Sequence, residues 1–294
     1  MAWAYWGLAL FLRNSGCLLL TVSLLAACHR DETPSSATAH PHYQLGNAWH
    51  GARGWFYPHE QFTYRATGIA TREVRMTDRL TADGEAWSAN SMTGAHQTLQ
   101  LPAIVTVRNL QNGRIVTIRL NARGPDSPGR IIAISPKAAD LLGMTSDTPV
   151  EIVEDEAASH QLAESLNGAP AGDVQKAPVG EVQAESLSDG SKQTFGNSPL
   201  PAQTVTASLA ALPVTWQQSM SGPSGLYVLL GLFSGHAAAQ QVALRCGGQV
   251  VRAYDGAGLD WKVRSGPYGD VAQADAALDQ TRACGVDGAR IIVE

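Results

Sequence analysis

The sequence predicts a mainly β fold, a small barrel, followed by a separate α+β domain of the ferredoxin-like βαββαβ kind, with a disordered linker between them. Three observations carry this. Alternating apolar runs flank Asn112-Gly113, the strongest short-range signal for a β-hairpin. A strand–helix–strand pattern occurs twice between residues 225 and 294, and two such halves of this size make a ferredoxin-like sandwich. Between these parts, residues 154–224 hold eight acidic and two basic residues and almost no aromatics. Such a stretch buries too little apolar surface to offset the entropy of ordering it.

The elements follow in chain order. Residues 17–27 are an apolar run after Arg13 that ends in small residues, as a signal-peptide core does. Leu25-Ala26-Ala27-Cys28 resembles the bacterial lipobox, which implies cleavage before Cys28 and lipidation of its thiol. His29, not Asp, follows the cysteine, which resembles an outer-membrane sorting signal. The expected order is thus a signal peptide over 1–27 and a lipidated tether over 28–42. A barrel over 43–153, a linker over 154–224 and a C-terminal domain over 225–294 complete it.

In the barrel, Ile104–Arg108 and Ile115–Leu120 form the hairpin strands. Ser135-Pro136 opens a short helix, with Ser as N-cap and Pro in the first turn, and Gly143 closes it after Leu142. Val150–Val153 reads as a closing strand. In the last domain the strands are Tyr227–Leu232, Gln249–Tyr254, Leu259–Ser265 and Ala289–Val293, with helices at His236–Cys246 and Asp270–Arg282.

Cys246 and Cys284 each end one of these helices. In a pseudo-twofold βαββαβ fold the helices run antiparallel, which puts their C-termini at opposite ends. A ten-residue helix spans about 15 Å, whereas a disulfide needs Cα atoms within about 7 Å. An oxidising compartment favours a bond, the geometry opposes it, and the reading is two unpaired thiols.

Composition excludes several functions. The net charge is −5 and charged residues are 16%, so there is no basic excess for binding nucleic-acid phosphates. The apolar share of 44% is too high for a wholly disordered chain. The linker alone carries −6, whereas residues 28–153 carry +1 and the C-terminal domain −1, a near-neutrality that suits uncharged sugar surfaces.

The motifs carry a resemblance. Thr81-Ala82-Asp83-Gly84-Glu85, Thr93-Gly94-Ala95-His96-Gln97-Thr98-Leu99, Val107-Arg108-Asn109-Leu110, Asn112-Gly113-Arg114 and Arg123-Gly124-Pro125 follow in order. They resemble the double-psi β-barrel of the RlpA (rare lipoprotein A) family. Gly-Leu-Phe-Ser at 231–234 and Val-Arg-Ser-Gly-Pro-Tyr at 263–268 resemble a SPOR peptidoglycan-binding domain. The resemblance implies a septal, lipid-anchored endolytic transglycosylase on the periplasmic face of the outer membrane that cleaves the MurNAc–GlcNAc bond of glycan strands lacking stem peptides. It leaves a 1,6-anhydro end and uses no cofactor or metal. The implied partners are the glycan strand, the membrane through the lipid, and divisome proteins.

The resemblance places Glu85 and His96 in the catalytic site. Three family features differ: Ala122 and Ala133 stand where the family has Asp, and Thr71-Arg72-Glu73-Val74 replaces Ser-Trp-Tyr-Gly. Asp126, four residues past Ala122 on the same loop, is a candidate substitute acid. Each candidate also has a structural reading. Glu85 would cap the turn after Asp83-Gly84, His96 would be a core histidine, and Asp126 a solvated loop carboxylate. Arg123 would support the barrel or contact glycan. In the C-terminal domain, Tyr227, Phe233, Trp261, Arg264 and Tyr268 are candidate glycan contacts, or core, and Leu229 stands where the SPOR pattern has Gln. Three functions remain open: a lytic transglycosylase, a glycan-binding lipoprotein with impaired chemistry targeted to division sites, and an interaction protein whose barrel docks a divisome partner.

Overall fold

Asn112 and Gly113 turn the chain between β5 (Ala103–Asn109) and β6 (Arg114–Arg123), which pair with Val105 opposite Ile118. Gly113 has φ +75°, and a Cβ there would lie 2.1 Å from the Ser219 carbonyl oxygen. This is a computed structural model that describes residues 38–52, 54–74, 80–168, 184–185, 192–193, 209–254 and 259–294. The signal segment, Cys28 and residues 169–183 of the linker lie outside the described residues.

A short hairpin, β1 (Trp49–Gly51) with β2 (Gly54–Phe56), precedes the barrel. The barrel adds β3 (Arg65–Arg72), β4 (Thr93–His96), β7 (Arg130–Ile134) and β8 (Thr148–Glu154). Its strand order is β6-β4-β7-β3-β8-β5, and β5 closes back on β6. Two pairs, β3–β7 and β4–β6, are parallel and the rest antiparallel. This is the closed six-strand barrel the resemblance implies. Its interior is filled by fully buried Leu99, Leu101, Val105, Ile118, Leu120, Ile132 and Ile134, each stabilising by about 1.5–3 kcal/mol relative to exposure. Gly94 allows the close β4–β7 approach, because a Cβ there would meet the Ala133 carbonyl at 2.7 Å.

Helix α1 (Pro136–Leu142) starts after Ser135 and stops at Gly143, φ +73°. Ser135 makes no side-chain cap; its hydroxyl donates instead to the Ser91 carbonyl at 2.6 Å, tying α1 to the loop before β4.

The expected linker is folded at both ends. Helix α2 (Glu156–Glu164) is capped by Asp155, which accepts from the Ala158 N–H. Ser159 accepts from the Ile104 N–H at 2.9 Å, and Ala163 and Leu166 pack with Tyr43. A nine-residue helix with a good cap and small contact residues leaves little trace in the composition of a seventy-residue window. Two short strands, β9 (Ala184–Glu185) and β10 (Lys192–Gln193), pair with each other. Leu209–Gly222 then returns along the barrel, and β11 (Gln217–Gln218) pairs with Ile115 and Arg114 of β6.

The C-terminal domain runs β12 (Leu226–Phe233), α3 (His236–Cys246), β13 (Gln249–Tyr254), β14 (Leu259–Tyr268), α4 (Val271–Ala283) and β15 (Arg290–Val293). The sheet order β13-β14-β12-β15, with every pair antiparallel, is ferredoxin-like.

Cys246 and Cys284 form a disulfide with Cα atoms 5.7 Å apart, which overturns the expectation of two unpaired thiols. The helices leave their strands from opposite ends, but both finish near the middle of the sheet. Gln249 lies opposite Arg264, Arg264 opposite Leu229, and Leu229 opposite Arg290. The two outer strands therefore begin on one row, and the helix C-termini converge there.

The domain packs on the barrel. Val293 of β15 both donates to and accepts from the Thr67 hydroxyl, at 3.0 and 2.9 Å. Ile69 and Leu110 of the barrel join the C-terminal core. Arg130 bridges Asp147 and Asp275, each at 2.5 Å.

Candidate active site

The turn Thr81–Glu85 is closed by Thr81 N–H to the Glu85 carbonyl and Gly84 N–H to the Thr81 carbonyl. Asp83 sits inside it, fully buried. One of its oxygens, Oδ1, accepts from the Thr81 hydroxyl at 2.7 Å and the Glu85 N–H at 3.1 Å. The other, Oδ2, is buried and meets no donor. Burial first, then the neighbouring Glu85 charge, push the Asp83 carboxyl up to about 6, against the pull of Thr81, the Glu85 N–H and Arg119.

The turn aims Glu85 across the barrel at β6. Arg119 meets Glu85 Oε1 at 2.6 Å, and the Asn121 amide donates to Oε2 at 2.5 Å. Strand alternation places Arg119 and Asn121 on one face of β6, which is why both reach the same carboxylate. Glu85 and Arg119 line a cavity of about 300 Å³ that Met92 and Thr93 border on one side and Leu209, Leu212 and Val214 on the other.

His96, at the end of β4, is buried, and that burial, with the Arg123 and His59 charges, lowers its pKa to about 3. The Thr98 and Leu99 N–H groups both point at Nδ1, each at 3.2 Å. Nδ1 is therefore the acceptor, and Nε2 carries the proton toward the Tyr64 hydroxyl at 3.2 Å. This is a neutral ring with both nitrogens engaged. Arg123 donates to the Leu99 and Leu45 carbonyls, and burial lowers it to about 10. It ties the segment before β1 to the loop after β4. Asp126 accepts the Ala52 N–H and so anchors the β1–β2 hairpin. Among the described residues no hydrogen bond or ion pair joins Glu85, His96 and Asp126.

Ala122 and Ala133 both touch Ala95, and the three form a buried cluster of methyl groups. The two positions where the family resemblance expects Asp are thus adjacent in space and wholly apolar.

In the C-terminal domain Arg264 lies 4.0 Å over the Tyr227 ring, and Glu294 binds Arg264 and Lys262. Phe233 and Trp261 face each other across β12 and β14. His236 meets the Trp261 ring edge-on at 4.4 Å, and Arg252 lies over it at 5.5 Å. The Tyr268 hydroxyl meets the Ser265 hydroxyl at 2.9 Å. Phe233, Trp261 and Tyr268 also pack on the domain core, so they are half structural.

Sequence reasoning passed over three features of the site. Asp83 lies inside the Thr81–Glu85 motif, and only its burial marks it out. Arg119 and Asn121 alternate on a strand, which was the available signal. The β1–β2 hairpin stacks Trp49 on Phe56 at 4.6 Å while Trp55 and Tyr57 stay exposed; its signal was four aromatic rings within nine residues.

Residues 59–153 match the family described as "Lytic transglycolase". A protein of Pseudomonas aeruginosa (strain UCBPP-PA14) named endolytic peptidoglycan transglycosylase RlpA is 29% identical over 266 residues, covering 84% of this chain and 74% of that protein. A Yersinia pestis protein of the same name is 47% identical over 72 residues, 24% of this chain. One from Escherichia coli K12 is 33% identical over 120 residues, 40% of this chain. These last two matches span only 20% and 32% of the relatives' own lengths.

Proposed function

We propose, from the premise that residues 59–153 form a barrel of the lytic transglycolase family within a relative of the RlpA proteins, that this chain cleaves peptidoglycan glycan strands. The observation that carries the reading is the Glu85 carboxyl on the wall of a cavity in that barrel, ringed by Arg119 and Asn121. Glu85, carrying a proton taken from solvent, gives it to the glycosidic oxygen between MurNAc and GlcNAc as the bond to C1 breaks. The carboxylate then takes the proton of the same MurNAc's 6-hydroxyl, whose oxygen closes on C1 to form the 1,6-anhydro ring. The proton returns to Glu85 and no water is consumed, so one carboxyl serves as acid and then base. Arg119 and Asn121 hold the carboxylate during the interval between the two transfers.

The substrate is glycan stripped of stem peptides, at the division septum. The anchor is lipidated Cys28 on the periplasmic face of the outer membrane. The C-terminal domain supplies retention on glycan, with Tyr227 and Arg264 as the stacking and donor pair. The test is release of 1,6-anhydro products from amidase-treated sacculi, followed by mass spectrometry. Glu85→Gln should lower the rate by about 10²–10⁴-fold; an unchanged rate removes Glu85 from the mechanism.

One observation favours a second reading, a glycan-binding lipoprotein without turnover. The Ala95–Ala122–Ala133 cluster puts methyl groups where the resemblance expects carboxylates. Under that reading wild-type protein retains sacculi and releases nothing. Release gained by Ala122→Asp would then show that only that carboxylate was lacking.

A further inference from the structure

β6 is ten residues long, but β4 pairs only with its Arg119–Arg123 end. The other half of that edge is covered by the returning segment Leu209–Gly222. Gln217 and Gln218 pair with Ile115 and Arg114, Ser219 N–H donates to the Gly113 carbonyl at 2.8 Å, and Gly222 N–H donates to the Leu110 carbonyl at 2.8 Å. At its upstream end the segment reaches the candidate active site. Arg119, which holds Glu85 through Nη2, donates through Nη1 to the Ala210 carbonyl at 2.9 Å. Leu209, Leu212 and Val214 wall the cavity that Glu85 lines.

The segment thus offers the barrel what an extended sugar chain would offer. It is a peptide segment, strand only at Gln217–Gln218, with a carbonyl acceptor at Arg119 and a flat ring, Trp216, under the Arg114 guanidinium at 4.6 Å. It is lightly held. Val214 is 50%, Trp216 42% and Met220 83% exposed, whereas a segment serving only to complete the barrel would bury its large side chains. Elements with few buried contacts are those that open locally at low cost.

We propose that Leu209–Gly222 is an intramolecular occupant of the glycan groove on β6, and that a glycan strand enters beside Glu85 by displacing it. This rests on the reading of the barrel as a glycan-cleaving site. The strap and the glycan compete for Arg119 and for the β6 edge, so apparent glycan affinity equals intrinsic affinity reduced by the fraction of molecules with the strap open.

The test uses the full chain. Hydrogen exchange at the Ser219 and Gly222 amides is followed with and without soluble glycan strands from amidase-treated sacculi. Glycan should speed exchange at both amides; binding confined to the C-terminal domain leaves them unchanged and overturns the proposal. A second variant, Ile115→Cys with Gln217→Cys, joins two directly paired positions. Oxidised, it should release almost no 1,6-anhydro products, because a locked strap leaves no open form, and it should recover the wild-type rate when reduced. Wild-type protein in the same reductant controls for the native disulfide. A locked variant that cleaves at the wild-type rate, or a strap that becomes more protected in glycan, overturns the proposal while leaving the cleavage reading intact. Folded wild-type and reduced variant that neither bind nor cleave glycan overturn both.

Discussion

At the scale of single residues the site is governed by burial. Asp83 and His96 are both buried and both shifted toward their neutral forms, Asp83 up to about 6 and His96 down to about 3. Their effects on stability have opposite signs. Between pH 3.8 and 6 the unfolded chain has ionised Asp83 and the folded one has not, so this residue lowers stability as pH rises, by about 3 kcal/mol across the window. Between pH 6.5 and 3 the unfolded chain has protonated His96 and the folded one has not. His96 therefore lowers stability as pH falls, by about 1.4 kcal/mol per unit. In wild type the two slopes offset each other, and Asp83→Asn should separate them. The amide oxygen still accepts from Thr81 and the Glu85 N–H, and the titration is gone. Denaturant unfolding from pH 3.5 to 7 is expected to show the variant gaining on wild type as pH rises, by up to about 3 kcal/mol at neutral pH. Parallel profiles would mean that Asp83 is ionised in the folded protein. The motif around Glu85 was legible in the sequence, but this charge balance was not, because it depends on which carboxyl oxygen meets a donor.

At the scale of elements, the signals that are local in sequence were the ones that could be read. Asn112-Gly113, Ser135-Pro136 and Gly143 act within a few residues, and each sits where its chemistry requires. The strap could not be read in the same way, since its partners on β6 lie about a hundred residues upstream and its own composition is that of a linker. Gly113 links the two cases. Its positive φ costs a side chain about 1–2 kcal/mol, and a Cβ would also strike the Ser219 carbonyl at 2.1 Å. Gly113→Ala is therefore expected to destabilise the barrel by about 1–2 kcal/mol in denaturant unfolding. It should also speed hydrogen exchange at Ser219, whose N–H donates to the Gly113 carbonyl. A loss of stability with unchanged exchange would mean that the strap shifts with the turn and remains bound.

At the scale of the whole molecule, the sequence suggested two neutral bodies on an acidic tether, and the structure packs them together. The contacts responsible join residues far apart in the chain: Thr67 with Val293, and Arg130 with Asp275. Such pairs leave no periodicity to detect. The disulfide was missed for a related reason. Ideal antiparallel helices separate their C-termini, but the shared starting row of β13 and β15 brings Cys246 and Cys284 within bonding range. A bridge between residues 38 apart limits the unfolded chain enough to stabilise the C-terminal domain by about 4 kcal/mol in the loop-entropy description. Reduction should therefore lower the melting transition of that domain. Because Ile69 and Leu110 of the barrel are covered by the C-terminal core, its unfolding exposes apolar barrel surface, and the barrel transition should move down as well, by less. Calorimetry with and without reductant, repeated on Cys246→Ser with Cys284→Ser, checks both parts. If only the C-terminal transition moves, the docking contacts contribute nothing to barrel stability, and the two domains behave in solution as the independent bodies their composition suggested.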